Sequence, residues 1–130
     1  MGLILDTKFV ITAEREAKAG RSGKTDRFLS AHANRRIFIT FTVAGELACG
    51  LSARVRRDWE KLCRPYPILP WTPEISWEYG EIYRELSSKG LLIGGNDMWI
   101  AATARISGLV LVTNNLDEFR RVEGLQVVGY

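Results

Sequence analysis

In an open parallel sheet, ligands bind beyond the carboxyl ends of the strands, so the informative polar residues are those that follow each apolar run. Asp6 follows Leu3-Ile4-Leu5 directly, and Glu46 lies one helical turn after Ile37-Phe38-Ile39-Thr40-Phe41. Asn115 and Asp117 follow the run that ends at Thr113, and Asp97 opens the helical segment just before that run. Glu46 shares a stripe with Val43, Leu47, Gly50 and Leu51, and Asp97 one with Ile100, Ala101, Ala104 and Gly108. Both carboxylates therefore occupy places where an apolar residue is expected. A carboxylate turned toward a core is costly unless it is paired or bound to a cation. Two of them beside a third at a strand tip would repel one another. A hard divalent ion, Mg²⁺ or Mn²⁺, resolves the conflict, since the donors are oxygens with no thiolate or imidazole nearby. Such ions activate water and stabilise the leaving oxygen in an in-line displacement, which makes phosphodiester hydrolysis the implied chemistry.

Each residue also has a plainer reading. Asp97 and Asp117 could cap their helices, Asp6 could be a strand-end turn residue, and Glu46 could pair with an arginine. Those readings need several independent coincidences, whereas one metal site explains the set.

The elements that must position these residues alternate between short apolar runs and helix-period segments. Strands are predicted at Leu3–Leu5, Ile37–Phe41, Ile68–Leu69, Leu109–Thr113 and Gln126–Val128. β-Branched and aromatic residues dominate the second, and the fourth is the least ambiguous. Helices are predicted from Thr7 to about Ala19, from Thr25 to about Ala33, and from Val43 through Leu51. Another carries Val55, Trp59, Leu62 and Cys63 on one face. Thr72-Pro73-Glu74 starts a helix that carries the stripe Ile75, Tyr79, Ile82, Tyr83, Leu86 to Lys89. Gly94-Gly95 lead into a helix over about Asn96–Ser107 that Gly108 stops, and a helical turn follows near Leu116–Arg121. Strands alternating with helices predict an α/β fold with a mainly parallel sheet.

With 130 residues, 46% hydrophobic and 25% charged, the chain reads as one domain over 1–130, and disorder and low complexity are excluded. No apolar run approaches the ~20 residues that cross a bilayer. Leu3–Leu5 ends at Asp6 with no basic stretch before it, so no signal peptide is read. Two cysteines, Cys49 and Cys63, make no disulfide framework, and the expectation is a cytoplasmic protein. The net charge of +3 is compatible with a polyanionic partner and proves none. His32 has no second imidazole to join. Arg35, Arg36, Arg54, Arg56 and Arg57 read as a solvated face, and the four tryptophans as core or subunit-contact residues. Ser22-Gly23-Lys24-Thr25 lacks the preceding strand and first glycine of a phosphate-binding loop and is set aside.

Four segments in this order resemble a known family: Leu-Asp-Thr at Asp6, Thr-Val-Ala-Gly-Glu-Leu at Glu46, Gly-Asn-Asp-Met-Trp-Ile-Ala-Ala at Asp97, and Leu-Val-Thr-Asn-Asn-Leu-Asp-Glu-Phe near the C-terminus. They resemble PIN-domain ribonucleases, and the length and the closing Arg-Val-Glu-Gly-Leu-Gln-Val-Val are most similar to VapC-type toxins of bacterial toxin–antitoxin pairs. The resemblance covers essentially the whole chain. It implies a three-layer α/β/α sandwich around a parallel sheet of about five strands. The implied activity is a Mg²⁺- or Mn²⁺-dependent endoribonuclease acting on structured RNA such as tRNA or rRNA. By that match Asp6, Glu46 and Asp97 are acidic metal ligands, and Asn115 takes a fourth position that is often Asp. Thr113 matches a hydroxyl often found beside the site, and Asn96 precedes Asp97 as in many relatives.

The chain departs from the pattern at Lys8, where Asn or Ser is common, and at the uncharged Asn115, for which Asp117 is the candidate substitute. The family further implies a small antitoxin whose tail fills the acidic cleft, and a homodimer. The runner-up readings are an RNA- or protein-binding module with impaired catalysis, motivated by Lys8 and Asn115, and cleavage of DNA by the same site.

Overall fold

In the computed structural model, which describes residues 2–130, five short strands form one parallel sheet. They are β1 (Leu3–Leu5), β2 (Ile37–Thr40), β3 (Ile68–Leu69), β4 (Val110–Val112) and β5 (Val127–Val128), ordered β3-β2-β1-β4-β5. Seven helices flank them: α1 (Thr7–Lys18), α2 (Lys24–Ala31), α3 (Phe41–Ala48), α4 (Arg56–Cys63), α5 (Pro73–Ser88), α6 (Gly95–Ser107) and α7 (Leu116–Phe119). This is the expected α/β/α sandwich. Leu3, Ile4 and Leu5 are buried throughout because β1 is central, paired on one edge with Ile37 and Phe38 and on the other with Val110–Val112. A strand covered on both faces has no solvent side to alternate toward, which explains its unbroken apolar run.

Helix boundaries follow local chemistry. Thr72 caps α5 by accepting the Ile75 N–H, with Pro73 in the first turn. Gly108 ends α6 at φ 66°, in the left-handed region that a side chain disfavours. Two expectations are corrected. Phe41 opens α3 rather than ending β2, because the Thr40 hydroxyl accepts the Val43 N–H at 3.1 Å and turns the chain there. The helix expected to run through Leu51 stops at Ala48, since Gly50 is extended, and Leu51 in the following 3₁₀ turn is 86% exposed.

Two pairs of helices, α5 with α6 and α1 with α2, are tied by polar side chains. Arg105 of α6 reaches α5, its Nε donating to Glu78 at 2.6 Å and its Nη1 to Glu85 at 3.3 Å, and it also donates to the Glu123 carbonyl at 2.9 Å. Glu16 of α1 is buried against the start of α2. It accepts from the Thr25 hydroxyl and from the backbone N–H groups of Lys24, Thr25 and Asp26. The unsatisfied donors of α2 are thus met by a carboxylate from another helix, which the macrodipole favours. The donors that a phosphate would use at the start of α2 are therefore already taken by Glu16. Burial works against this carboxylate, but the Thr25 hydroxyl bond outweighs it, and the Glu16 carboxyl lies below its ordinary value.

A methyl at position 23 would overlap Glu16 Oε2. Gly23→Ala is therefore expected to destabilise the chain by about 1–3 kcal/mol, read from thermal or urea melts. A lowered carboxyl contributes stability above its unfolded value and loses it as pH falls. The melting temperature should thus drop as pH falls below 4.5, with a shallower acid limb in Glu16→Gln.

Candidate functional site

The order β3-β2-β1-β4-β5 reverses direction between β1 and β4, since the chain builds leftward from β1 and then crosses to its other edge. A crevice opens at such a switch point beyond the carboxyl ends of the strands. Asp6 leaves the end of β1 and Thr113 the end of β4, so both stand at the crevice. The ladder continues past the strands there, with the Asp6 N–H bonded to the Val112 carbonyl at 3.2 Å and the Thr113 N–H to Val128 at 2.9 Å. A cleft of roughly 520 Å³ sits at this edge, with Asp6, Lys8, Glu46, Asp97 and Asn115 among its lining residues. A larger hollow of roughly 610 Å³ lies between α1 and α4, away from the strand ends.

Asp6 is 9% exposed and caps α1, its Oδ1 accepting the Phe9 N–H at 2.8 Å. Asp6 is thus a helix cap as well as the strand-end residue the sequence suggested, and the cap leaves its carboxylate in the cleft. The Thr113 hydroxyl, fully buried, bonds the Asp6 side chain and accepts the Asn115 N–H at 3.0 Å. One hydroxyl thereby fixes both strand-end residues. Glu46 is held by neutral donors: its Oε1 accepts the Thr7 hydroxyl at 2.7 Å and its Oε2 the Asn96 amide at 3.5 Å. Asp97 sits in the first turn of α6, whose capping position is Gly94. Asn115 precedes α7, and its amide donates to Glu118 Oε2 at 3.2 Å.

Asp117 is exposed and lies outside the cleft lining, so it does not take the position suggested for it. Glu118 does approach the site, and it is the charged group that acts most strongly on Asp97. The sequence reading missed it. A signal was available, because Glu118 lies three residues after Asn115 and so shares its side of a helical turn, whereas Asp117 does not. Of the remaining candidates, His32 stacks on Phe28 and bonds its carbonyl, and Trp59 donates to the Ala44 carbonyl at 2.9 Å. Trp99 packs between Phe41 and Tyr79, while Trp71 and Trp77 are exposed. Both cysteines are free.

Burial pushes the Asp6 carboxyl up, and Glu46 adds to the rise, against the opposing Thr113 and Phe9 hydrogen bonds and the Lys8 charge. Burial also pushes Asp97 up, followed by repulsion from Glu118, Glu46 and Asp6. The Tyr130 phenol, packed edge-on against Phe9, is pushed up to about 12 by burial and by Asp6. Negative charge at this edge is thus opposed by its own neighbours, as expected of a place that accepts a cation. The donors suit a hard divalent ion: all are oxygens, two on carboxylates held up by desolvation. Among the described residues, no three acidic, imidazole or thiol side chains already close into a ligand set.

The PIN domain family model matches residues 3–125. A ribonuclease VapC1 of Rickettsia felis is 33% identical over 137 aligned positions, covering 98% of this chain and 96% of the relative. A ribonuclease VapC2 of Haemophilus influenzae is 52% identical over 63 residues, where the match spans only 48% of each chain, about half the relative's length. VapBC2 from Rickettsia felis, solved bound to a DNA fragment from its promoter, superposes with a TM-score of 0.82 at 25% identity, covering 100% of this chain and 99% of that one. VapBC-1 from nontypeable Haemophilus influenzae superposes with a TM-score of 0.75 at 26% identity, covering 99% and 98%.

A raised carboxyl loses stability as pH rises through its folded value, so ionised Asp97 works against the metal-free fold near neutrality. In EDTA at pH 7, Asp97→Asn should melt above wild type by a few degrees, with the gap narrowing as pH falls toward the carboxylate range. A variant melting below wild type at every pH would contradict this assignment. Thr7→Val, which strips Glu46 of its hydroxyl donor, should cost about 0.5–1.5 kcal/mol.

Proposed function

From the premise that the chain belongs to the PIN-domain family, in its VapC branch, we propose that it is a metal-dependent endoribonuclease and the toxin of a toxin–antitoxin pair. The observation that carries this reading is the gathering of Asp6, Glu46 and Asp97 around one cleft, with Glu118 beside Asp97. Its support from relatives is their naming as VapC ribonucleases and the solved VapBC assemblies of the same fold. RNA is the proposed substrate, a small antitoxin the proposed partner, and the cytoplasm the proposed location. Among the described residues no helix is long and apolar enough to cross a membrane. A homodimer is proposed as well: Trp71 and Trp77 are 52% and 68% exposed, and large exposed aromatics are a mark of protein contacts.

Asp6, Asp97 and Glu46 would hold Mg²⁺ or Mn²⁺, with Glu118 as the added fourth carboxylate. When bound, the ion supplies activation of water and stabilisation of the leaving 3′ or 5′ oxygen. The protein supplies placement. Asp6 presents a carboxylate whose rotation is blocked by the Phe9 N–H and the Thr113 hydroxyl. Glu46, held by Thr7, positions the attacking water and takes its proton at the carboxylate. Asn115 orients Glu118, and Thr113 keeps Asn115 and Asp6 in fixed relation. The scaffold's contribution is orientation before the substrate arrives.

Purified protein should cleave an RNA hairpin only with Mg²⁺ or Mn²⁺ present, and leave a matched DNA hairpin intact. Asp97→Asn should lose activity on the order of a hundredfold or more. Unchanged cutting by that variant would sink the assignment. A wild-type chain that takes up no Mn²⁺ by calorimetry would instead favour the binding module with impaired catalysis, the reading that Lys8 and Asn115 motivate.

A further inference from the structure

Lys8 is the one cation lining the carboxylate cleft among the described residues. It stands in the first turn of α1, directly after Asp6 and Thr7, and it is exposed. Local physics disfavours it there, because the N-terminal end of a helix is positive and selects acidic residues. The first turn of α1 in fact contains no acidic side chain. Nor is Lys8 held as an internal counter-ion. Its charge acts on Asp6, yet among the described residues its ammonium forms no ion pair. Asp6 is buried, and its carboxylate already accepts from Phe9 and Thr113.

The neutral polar lining groups are committed. The Thr7 hydroxyl donates to Glu46, and the Asn115 amide to Glu118. The Asn114 side chain accepts the Tyr130 N–H at 2.8 Å. Lys8 is left with three ammonium donors at the mouth of a cleft that otherwise repels phosphate. We propose that Lys8 is a substrate-anchoring residue whose ammonium binds a backbone phosphate of the RNA strand, beside the phosphate at the carboxylates. The proposal rests on the ribonuclease reading for its ligand, but it concerns binding and not bond cleavage.

Binding therefore tests it without turnover. A fluorescein-labelled RNA hairpin is titrated in fixed Mg²⁺ across a series of KCl concentrations, with anisotropy as the readout. Asp97→Asn serves as the parent chain and Asp97→Asn with Lys8→Gln or Lys8→Arg as the variants. Lys8→Gln should weaken binding about three- to fivefold at low salt and lower the slope of log K against log salt by about one. Lys8→Arg should restore both. In the cleaving chain the same change should raise KM rather than lower kcat. Affinity and slope that do not move in Lys8→Gln overturn the proposal, as does a fall in kcat at unchanged KM, which would mean that Lys8 acts on the carboxylates instead. A wild-type chain that binds RNA through Lys8 yet never cleaves it would refute the nuclease assignment and uphold this one.

Discussion

The structure turns on a conflict of like charges at the sheet's switch point. Burial and mutual repulsion both push Asp6 and Asp97 toward their neutral forms. A protein selected for stability alone would place an arginine among them or remove them, since an unpaired buried charge is among the costliest features a fold can carry. Here the groups hydrogen-bonded to Asp6, Glu46 and Glu118 are neutral donors: a backbone N–H, two hydroxyls and two side-chain amides. Neutral donors fix the orientation of a carboxylate without cancelling its charge. The charge is left available to a ligand, and the cleft is built as an acceptor for a cation.

Keeping such groups together requires stiff surroundings. The cleft walls come from α1, α3, α6 and the β4–α7 segment, elements far apart in sequence. Their relative placement depends on polar ties elsewhere. Arg105 locks α6 to α5, and Arg121 donates to the carbonyls of Leu91 and Leu92, joining the end of α7 to the loop that leads into α6. That second tie holds Glu118 and Asp97 in the same neighbourhood against their repulsion. Glu16 does comparable work for α1, which Asp6 caps and whose first turn carries Thr7 and Lys8.

Sequence reasoning reached much of this because burial leaves a strong periodic signature. Glu46 and Asp97 were legible as polar intruders on apolar stripes, and Asp6 as the first polar residue after a buried strand. All three line the cleft. Glu118 left only the three-residue spacing from Asn115 as a signal, because α7 spans four residues, too short for a stripe to declare a face. The Thr7–Glu46 bond spans 39 positions, and the Glu16–Thr25 bond joins two polar residues that look like ordinary surface. Tertiary hydrogen bonds of this kind depend on how elements dock, which no single-segment period reports. Leu51 failed for the opposite reason: one glycine outweighed a periodic pattern.

The charge balance gains meaning from the same geometry. The chain carries 18 basic and 15 acidic residues, and four of the acidic ones, Asp6, Glu46, Asp97 and Glu118, are concentrated at one edge. Away from that edge the excess of positive charge is therefore larger than the net +3 indicates. A polyanion such as the proposed RNA is drawn to the outer surface and repelled at the cleft until a cation reverses the sign there. On this arrangement nonspecific attachment and productive seating separate: the basic exterior supports the first, and the cleft favours the second once its negative charge is offset. Lys8, a cation at the cleft mouth, lies where those two regimes meet.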